Sequence, residues 1–382
     1  MKTKSFELCA MIIFLTLSCF LGIGAESCLL IAGNDYWIVP IIGTIIGFPL
    51  ILIYLYIFNS NMNINTLNHH IFGNKIGTFI NTLLLLFIIS LNIIIFWNLT
   101  SFVASQYLYD TPSWFITIIF IIPSIYMISK GPRIILRTTF IFFYIYVILF
   151  IFSALGLATQ LKLNNIMPIL QNGITPVFKA VINYVSYMIT PIFLILIIPK
   201  KEIDDKNLKK KIIITYFISN AIIFLICFFT ISVFGIELTK LYQYPSYHIL
   251  KRVFIGGFVE RMENTLSIQW IITLLIPAIF GFYYISKSLI DNFKINKYIT
   301  YVIIVILMFL SEYIFRNNTV GENFLVYIYP IFILIFLIII PIIIAIRLKS
   351  KKNQFWFFYF IIDLAIVITG LTPISPRAFV TW

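Results

Sequence analysis

Ten apolar runs dominate this sequence, each close to the roughly twenty residues a helix needs to cross a bilayer core of about 30 Å. They occupy 7–32, 36–58, 76–107, 112–128, 138–157, 175–199, 212–236, 265–286, 298–314 and 324–346. Lipid offers no partner to a backbone N–H or C=O, so such runs must be helical unless they close into a barrel. The predicted fold class is therefore all-α, a polytopic membrane bundle of about ten spans. Composition agrees: 61% of residues are hydrophobic and 11% charged, against roughly 45–50% and 25% in soluble domains. So few charges cannot cover a soluble core of this size. That excludes a cytosolic enzyme, a secreted disulfide scaffold and a disordered regulator. The four cysteines, Cys9, Cys19, Cys28 and Cys227, lie in or beside apolar runs without metal-ligand spacing and read as packing residues.

The charges set the topology. The net charge is +13; in a soluble protein this would suggest nucleic acid, but here the cations sit in short blocks between spans. Of 27 Lys and Arg residues, 19 fall in alternate segments on the side of the N-terminus, seven on the other side, and Arg377 lies beyond span ten. The positive-inside rule then predicts a cytoplasmic N-terminus and an even number of spans. The first run is too long for a signal peptide and has no small-residue cleavage site before Glu26. Loops are short, so residues 1–352 read as one ten-helix domain. An interfacial helix is expected within 237–264, where apolar and charged residues mix at helical spacing. Lys200–Lys211 reads as a topology anchor, with anionic lipid a second role. Residues 353–382 form an apolar tail; 355–370 is short for a span and carries Asp363, so it reads either as an eleventh helix or as an in-plane one.

Two spans carry breaks at matching places. Span one contains Gly22-Ile23-Gly24 followed by Glu26, and each glycine weakens a helix interior by about 1 kcal/mol relative to alanine. An unwound turn there would offer amides and a half-helix N-terminus to a carboxylate; the other reading is close helix packing. Span six contains Tyr184, Ser186, Tyr187 and Thr190 before Pro191. The proline removes one intrahelical bond near Tyr187, leaving either a plain kink or a polar break. Interrupted helices at corresponding places in two inverted five-helix halves point to a transporter-type central site. Gly22, Gly24, Glu26, Tyr184, Ser186, Tyr187 and Thr190 are accordingly the candidate ligand-binding residues. Glu26 would meet a ligand ammonium, carry a proton, or reach the interface near Asp35. Lys179 reads as snorkelling outward or pairing with Glu26. Asn92 and Asn98 of span three would line a pore or bond between helices. Glu312 is expected to face water or Arg316. His69, His70 and His248 do not gather with carboxylates, and no phosphate-binding loop or hydrolase motif occurs. No enzyme, metal or cofactor is expected.

Several local patterns resemble the endospore germination permease family, the integral-membrane B subunits of nutrient germinant receptors within the amino acid–polyamine–organocation superfamily. They are Gly22-Ile23-Gly24, Asp35-Tyr36-Trp37, Lys130-Gly131-Pro132-Arg133 with Arg137, and Asn165 to Pro168 with Leu170 and Gly173. The most specific is Tyr244-Pro245-Ser246 followed by Arg252, Gly256, Glu260-Arg261, Glu263 and Trp270. The resemblance runs in order over most of 5–350. It implies the inverted-repeat fold of amino-acid transporters and a subunit of the spore inner membrane. Such a subunit senses a small nutrient, commonly an amino acid, with a receptor A subunit and a lipoprotein C subunit, and triggers germination. Members often carry a carboxylate near the second break, whereas 184–190 holds none and Glu26 stands beside the first. The alternative is a proton-coupled amino-acid transporter of the same fold, with Glu26 as proton carrier.

Overall fold

Because each apolar run must satisfy its own backbone, the chain folds as a series of helices whose ends are set by glycine, proline and short polar turns. The structure, a computed structural model, describes residues 3–204, 207–252, 267–315 and 323–350. Among these, nine helices are long and apolar enough to cross a membrane, and Ser5–Cys19 is a shorter apolar helix. One of the nine, Ala25–Phe58, bends back at Gly33–Ile38, so its first part completes the crossing begun by Ser5–Cys19. Ten crossings result, with residues 5–32 as span one and Val39–Phe58 as span two.

Span three lies within Ile64–Gln106, which is broken at Gly73 (φ 79, ψ 173). No residue with a Cβ takes that conformation readily, so 64–72 forms a separate short helix ahead of the span. His69 and His70 sit on it rather than in a loop. Spans four and five are Ser113–Lys130 and Pro132–Ala158. Span six is Thr175–Ile197. Span seven lies within Leu208–Leu241, which turns at Gly235 (φ 72, ψ 168). Spans eight, nine and ten are Ile268–Phe293, Lys297–Ile314 and Phe324–Ser350.

Bonds between distant loops check this alternation independently. At one end, Thr3–Lys4 pairs in parallel with Ile203–Asp204, in the register Thr3 to Ile203. At that same end Lys200 donates to Asn59 (2.6 Å), Lys297 to the Ser129 carbonyl (3.0 Å) and Asn63 to Asp291 (3.1 Å). At the opposite end Leu170 N–H donates to Asp35 (2.8 Å), Asn34 to the Ile166 carbonyl (2.8 Å) and Lys162 N–H to the Ser232 carbonyl (3.1 Å). Every pair joins segments that ten crossings place on one side. The first of these ends is also the one rich in Lys and Arg, and is called the basic end below.

Spans one and six form the middle. The Thr175–Ile197 window is 94% buried, against 22% for Pro132–Ala158, so span six is enclosed by protein while span five turns most of its surface to lipid. Span one packs on spans five, seven and eight, and span three lies along span eight. Outward faces of spans four, five and nine are lined by exposed Ile122, Ile148, Leu155 and Ile306, which suits hydrocarbon solvent.

In the segment expected to hold an interfacial helix, Pro245–His248 and Ile249–Arg252 are short helical turns. Its remainder, 253–266, lies outside the described residues, as do Arg316 and the tail segment 355–370. Glu312 is half-buried and accepts a hydrogen bond from the Thr117 hydroxyl of span four, a partner the expectation did not include.

Candidate functional site

Neither interruption is an unwound strand. In span one, Phe20–Gly24 is a π-helical turn in which the Ala25 N–H bonds to the Phe20 carbonyl. In span six, Val185–Ile189 is likewise a π turn, with the Thr190 N–H on the Val185 carbonyl, followed by a 3-10 segment Thr190–Ile197. The expectation of bare amides is thereby corrected: one residue is inserted, the coil widens, and the N–H groups keep intrahelical partners. Widening relieves the strain of glycine and proline without exposing donors to a dry interior.

The two turns meet. A Cβ on Gly24 would stand 2.6 Å from Met188 Cε and 3.1 Å from Tyr187 Cβ, so glycine is what lets the turns touch. Gly22 lies in the same turn. Glu26 follows it, half-buried, on the first turn of Ala25–Ala32. Cys28 Sγ donates weakly to the Ala180 carbonyl (3.6 Å) and binds this half of span one to span six. Lys179 is exposed.

Proline chemistry explains where the span six side chains go. Pro330 in span ten has no N–H to give the carbonyls four and five residues back, those of Val326 and Leu325. Asn183 donates to Val326 (2.9 Å), and the Tyr187 hydroxyl donates to Leu325. The single Ser186 hydroxyl proton is shared between its own Ile182 carbonyl (2.8 Å) and that of Pro330 (3.2 Å). Pro191 opens the same gap in span six, and the Thr190 hydroxyl fills it by donating to the Ser186 carbonyl. Tyr184 points the other way. Its ring lies over Gly43 of span two, where a Cβ would come within 2.2 Å of Cδ1, and its hydroxyl donates to Asn220 of span seven. Tyr216 extends this network by donating to the Thr44 carbonyl (2.7 Å).

Of the predicted site residues, Gly24, Ser186 and Tyr187 are brought to one place, with Thr190 just below and Tyr184 on the opposite face. Asn92 is an interhelical bond: it donates to the Ala278 carbonyl of span eight (3.1 Å) and rests on Gly281. Asn98 is buried nearby in span three. Asn183 and Pro330 were missed. Asn183, Ser186, Tyr187 and Thr190 stand at i, i+3, i+4 and i+7, a polar stripe on one helix face; that spacing is the signal that would have included Asn183. Among the described residues no three His, Cys, Asp or Glu side chains gather as a metal site.

The motifs separated in sequence also dock. Asp35 and Asn34 hold the 166–170 loop, and Asn165 donates to the Ser232 carbonyl (3.0 Å) beside the Gly235 turn. Tyr244 and Tyr247 pack edge-on against Phe102 (centroids 5.3 and 5.1 Å), which stacks on Trp270 at 4.8 Å.

Two interrupted helices paired at the centre of an enclosing bundle define an inverted-repeat, transporter-type membrane protein. A solved manganese transporter of Eremococcus coleocola, in complex with an aromatic bis-isothiourea substituted compound, shares this fold: the TM-score is 0.54 over 87% of this chain and 76% of that one, at 12% identity. The chain belongs to the spore germination protein family, whose model matches residues 8–320. It is similar to spore germination protein KB of Bacillus subtilis, 24% identical over 68% of this chain and 69% of that protein. It is also similar to spore germination protein YndE of the same organism, 27% identical over 59% of this chain and 62% of that protein. It is thus an integral membrane protein of a family of germination proteins.

Proposed function

We propose that this chain is the membrane subunit of a spore germinant receptor that senses a small nutrient of the amino-acid class where spans one and six touch. The observation that carries this reading is the contact of two π turns at Gly24 and Tyr187, inside a germination-family bundle. The arrangement described, with the hydroxyls of Ser186 and Tyr187 committed to span ten, is the resting one. A nutrient carboxylate takes those hydroxyls, Gly22 and Gly24 keep the span one backbone within reach, and Glu26 receives the ammonium. Span ten loses donors to Leu325 and Pro330 and settles in a second arrangement. A ligand shifts such an equilibrium only by its differential affinity for the two states, and the exchanged hydrogen bonds supply one. Tyr184 and Thr190 keep the span six turn in place. Residues 1–352 act as one domain, the basic end faces the cytoplasm, and the spore inner membrane is the site of action, beside an A subunit and a lipoprotein C subunit.

Spores carrying Tyr187→Phe, Glu26→Gln or Gly24→Leu test the reading by their nutrient dose–response. Each is expected to move the half-maximal nutrient concentration upward, Gly24→Leu most. Unchanged curves at normal protein level would overturn the site. Uptake of labelled amino acid by vesicles under a pH gradient would replace it with the proton-coupled transporter reading.

A further inference from the structure

A cavity lies away from the contact of spans one and six. It opens between spans one, five, seven and eight and the short helices at Pro245–Arg252, and offers about 40 Å³ to water-sized molecules. One water needs roughly 10–15 Å³ on this measure, so the space suits about three waters, or a molecule of roughly three to four heavy atoms. Phe229 and Trp270 wall it with aromatic surface. Three polar side chains reach it from three elements: Ser153, Ser246 and Gln269. Gln269 donates to Ser153 (3.3 Å), which donates to the Leu149 carbonyl (2.7 Å). The Ser246 hydroxyl is buried and has no hydrogen-bond partner among the described residues. An orphaned hydroxyl in a dry wall is unfavourable, and a ligand that accepts or donates one bond there removes the penalty.

We propose that this cavity binds a small uncharged molecule bearing a hydroxyl or amide group. Among the described residues no Asp, Glu, Lys, Arg or His lines it, so a zwitterion entering would shed its hydration against a wall that offers no countercharge. An amide instead meets Ser246 on one side and the Ser153–Gln269 pair on the other, with its methyl against the aromatic rings. Leu21, a wall of the cavity, belongs to the π turn of span one. Occupancy therefore bears on the same turn that Gly24 holds against span six. The proposal stands apart from the nutrient site and does not rest on it.

The test uses the full chain in lipid nanodiscs, with acetamide as probe and glycine as its zwitterionic counterpart. Saturation-transfer NMR and the thermal unfolding midpoint report binding, since a ligand of the folded state raises stability by mass action. Acetamide is expected to give saturable transfer and a saturable rise in midpoint, and glycine neither at this site. Ser246→Ala, which removes only the hydroxyl, is expected to weaken acetamide about fivefold, the worth of one ordinary hydrogen bond. Ser246→Leu is expected to fill the space and abolish the effect. Non-saturable transfer, glycine binding that Ser246→Leu abolishes, or acetamide binding untouched in folded Ser246→Ala would overturn the proposal.

Discussion

Replacing Asn183 with leucine removes the donor that Pro330 makes necessary. Asn183 Nδ2 lies 2.9 Å from the Val326 carbonyl, and both are buried between spans six and ten. Leucine keeps the volume, so the loss is one hydrogen bond and one orphaned carbonyl. In water-soluble proteins an unsatisfied buried group costs about 1–3 kcal/mol. Within membranes measured side-chain bonds average about 0.6 and reach about 1.7 kcal/mol. Pro330 withholds the donor four residues beyond Val326, which places the loss near the upper figure. We expect Asn183→Leu to destabilise the bundle by about 1–2 kcal/mol. The informative experiment is the double-mutant cycle with Pro330→Ala. Alanine restores an N–H four residues beyond Val326, so the carbonyl regains an intrahelical partner and no longer needs Asn183. In the Pro330→Ala background the cost of Asn183→Leu should fall close to zero, a coupling of about 1 kcal/mol, within the range for residues in contact. Equilibrium unfolding in lipid–detergent mixed micelles measures all four proteins. If Asn183→Leu costs the same with and without Pro330, the proline-gap account of spans six and ten is wrong.

Two further expectations concern packing and pH. Gly43→Ala puts a methyl 2.2 Å from a Tyr184 ring that Asn220 holds at its far end, so overpacking of about 1–3 kcal/mol is expected. Gly47→Ala meets the terminal methyl of buried Ile189 at 1.8 Å and the Tyr216 hydroxyl at 3.0 Å; a methyl at a side chain's end yields to a rotamer change more readily than a tethered ring, so the cost should be smaller than for Gly43→Ala; the same unfolding assay would refute this if the order were reversed. His248 stacks on Tyr242 (centroids 4.3 Å), and its burial first, then Lys251, hold its pKa down to about 4 from 6.5. The folded state thus binds fewer protons than the unfolded one between these values, so the 242–252 segment should lose stability as pH falls from about 6.5 to about 4. His248→Phe, which keeps the stack, should flatten that dependence in amide-exchange measurements; a dependence unchanged by the substitution would remove His248 as its cause.

The sequence by itself determined the ten crossings of the described residues, their alternation and the positions of both breaks. The reason is local: in lipid each segment must satisfy its own backbone, so run length, cation placement, glycine pairs and proline speak directly. Gly24 and Pro191 mark their turns within one or two residues of where the π turns end and begin to tighten. What the breaks became was decided by tertiary structure. A helix can answer a glycine or a proline by unwinding or by widening, and the choice depends on whether neighbours supply donors; here Tyr187, Ser186 and Asn183 serve span ten, and Thr190 serves its own helix. The Thr117 partner of Glu312 was not foreseen and Asn92 was left open for the same reason, since an intramembrane polar group is defined by the helix it faces, and Thr117 and Ala278 are each more than 180 residues away from their partners. Periodicity says that a face is polar; only the packing of ten helices says what that face meets.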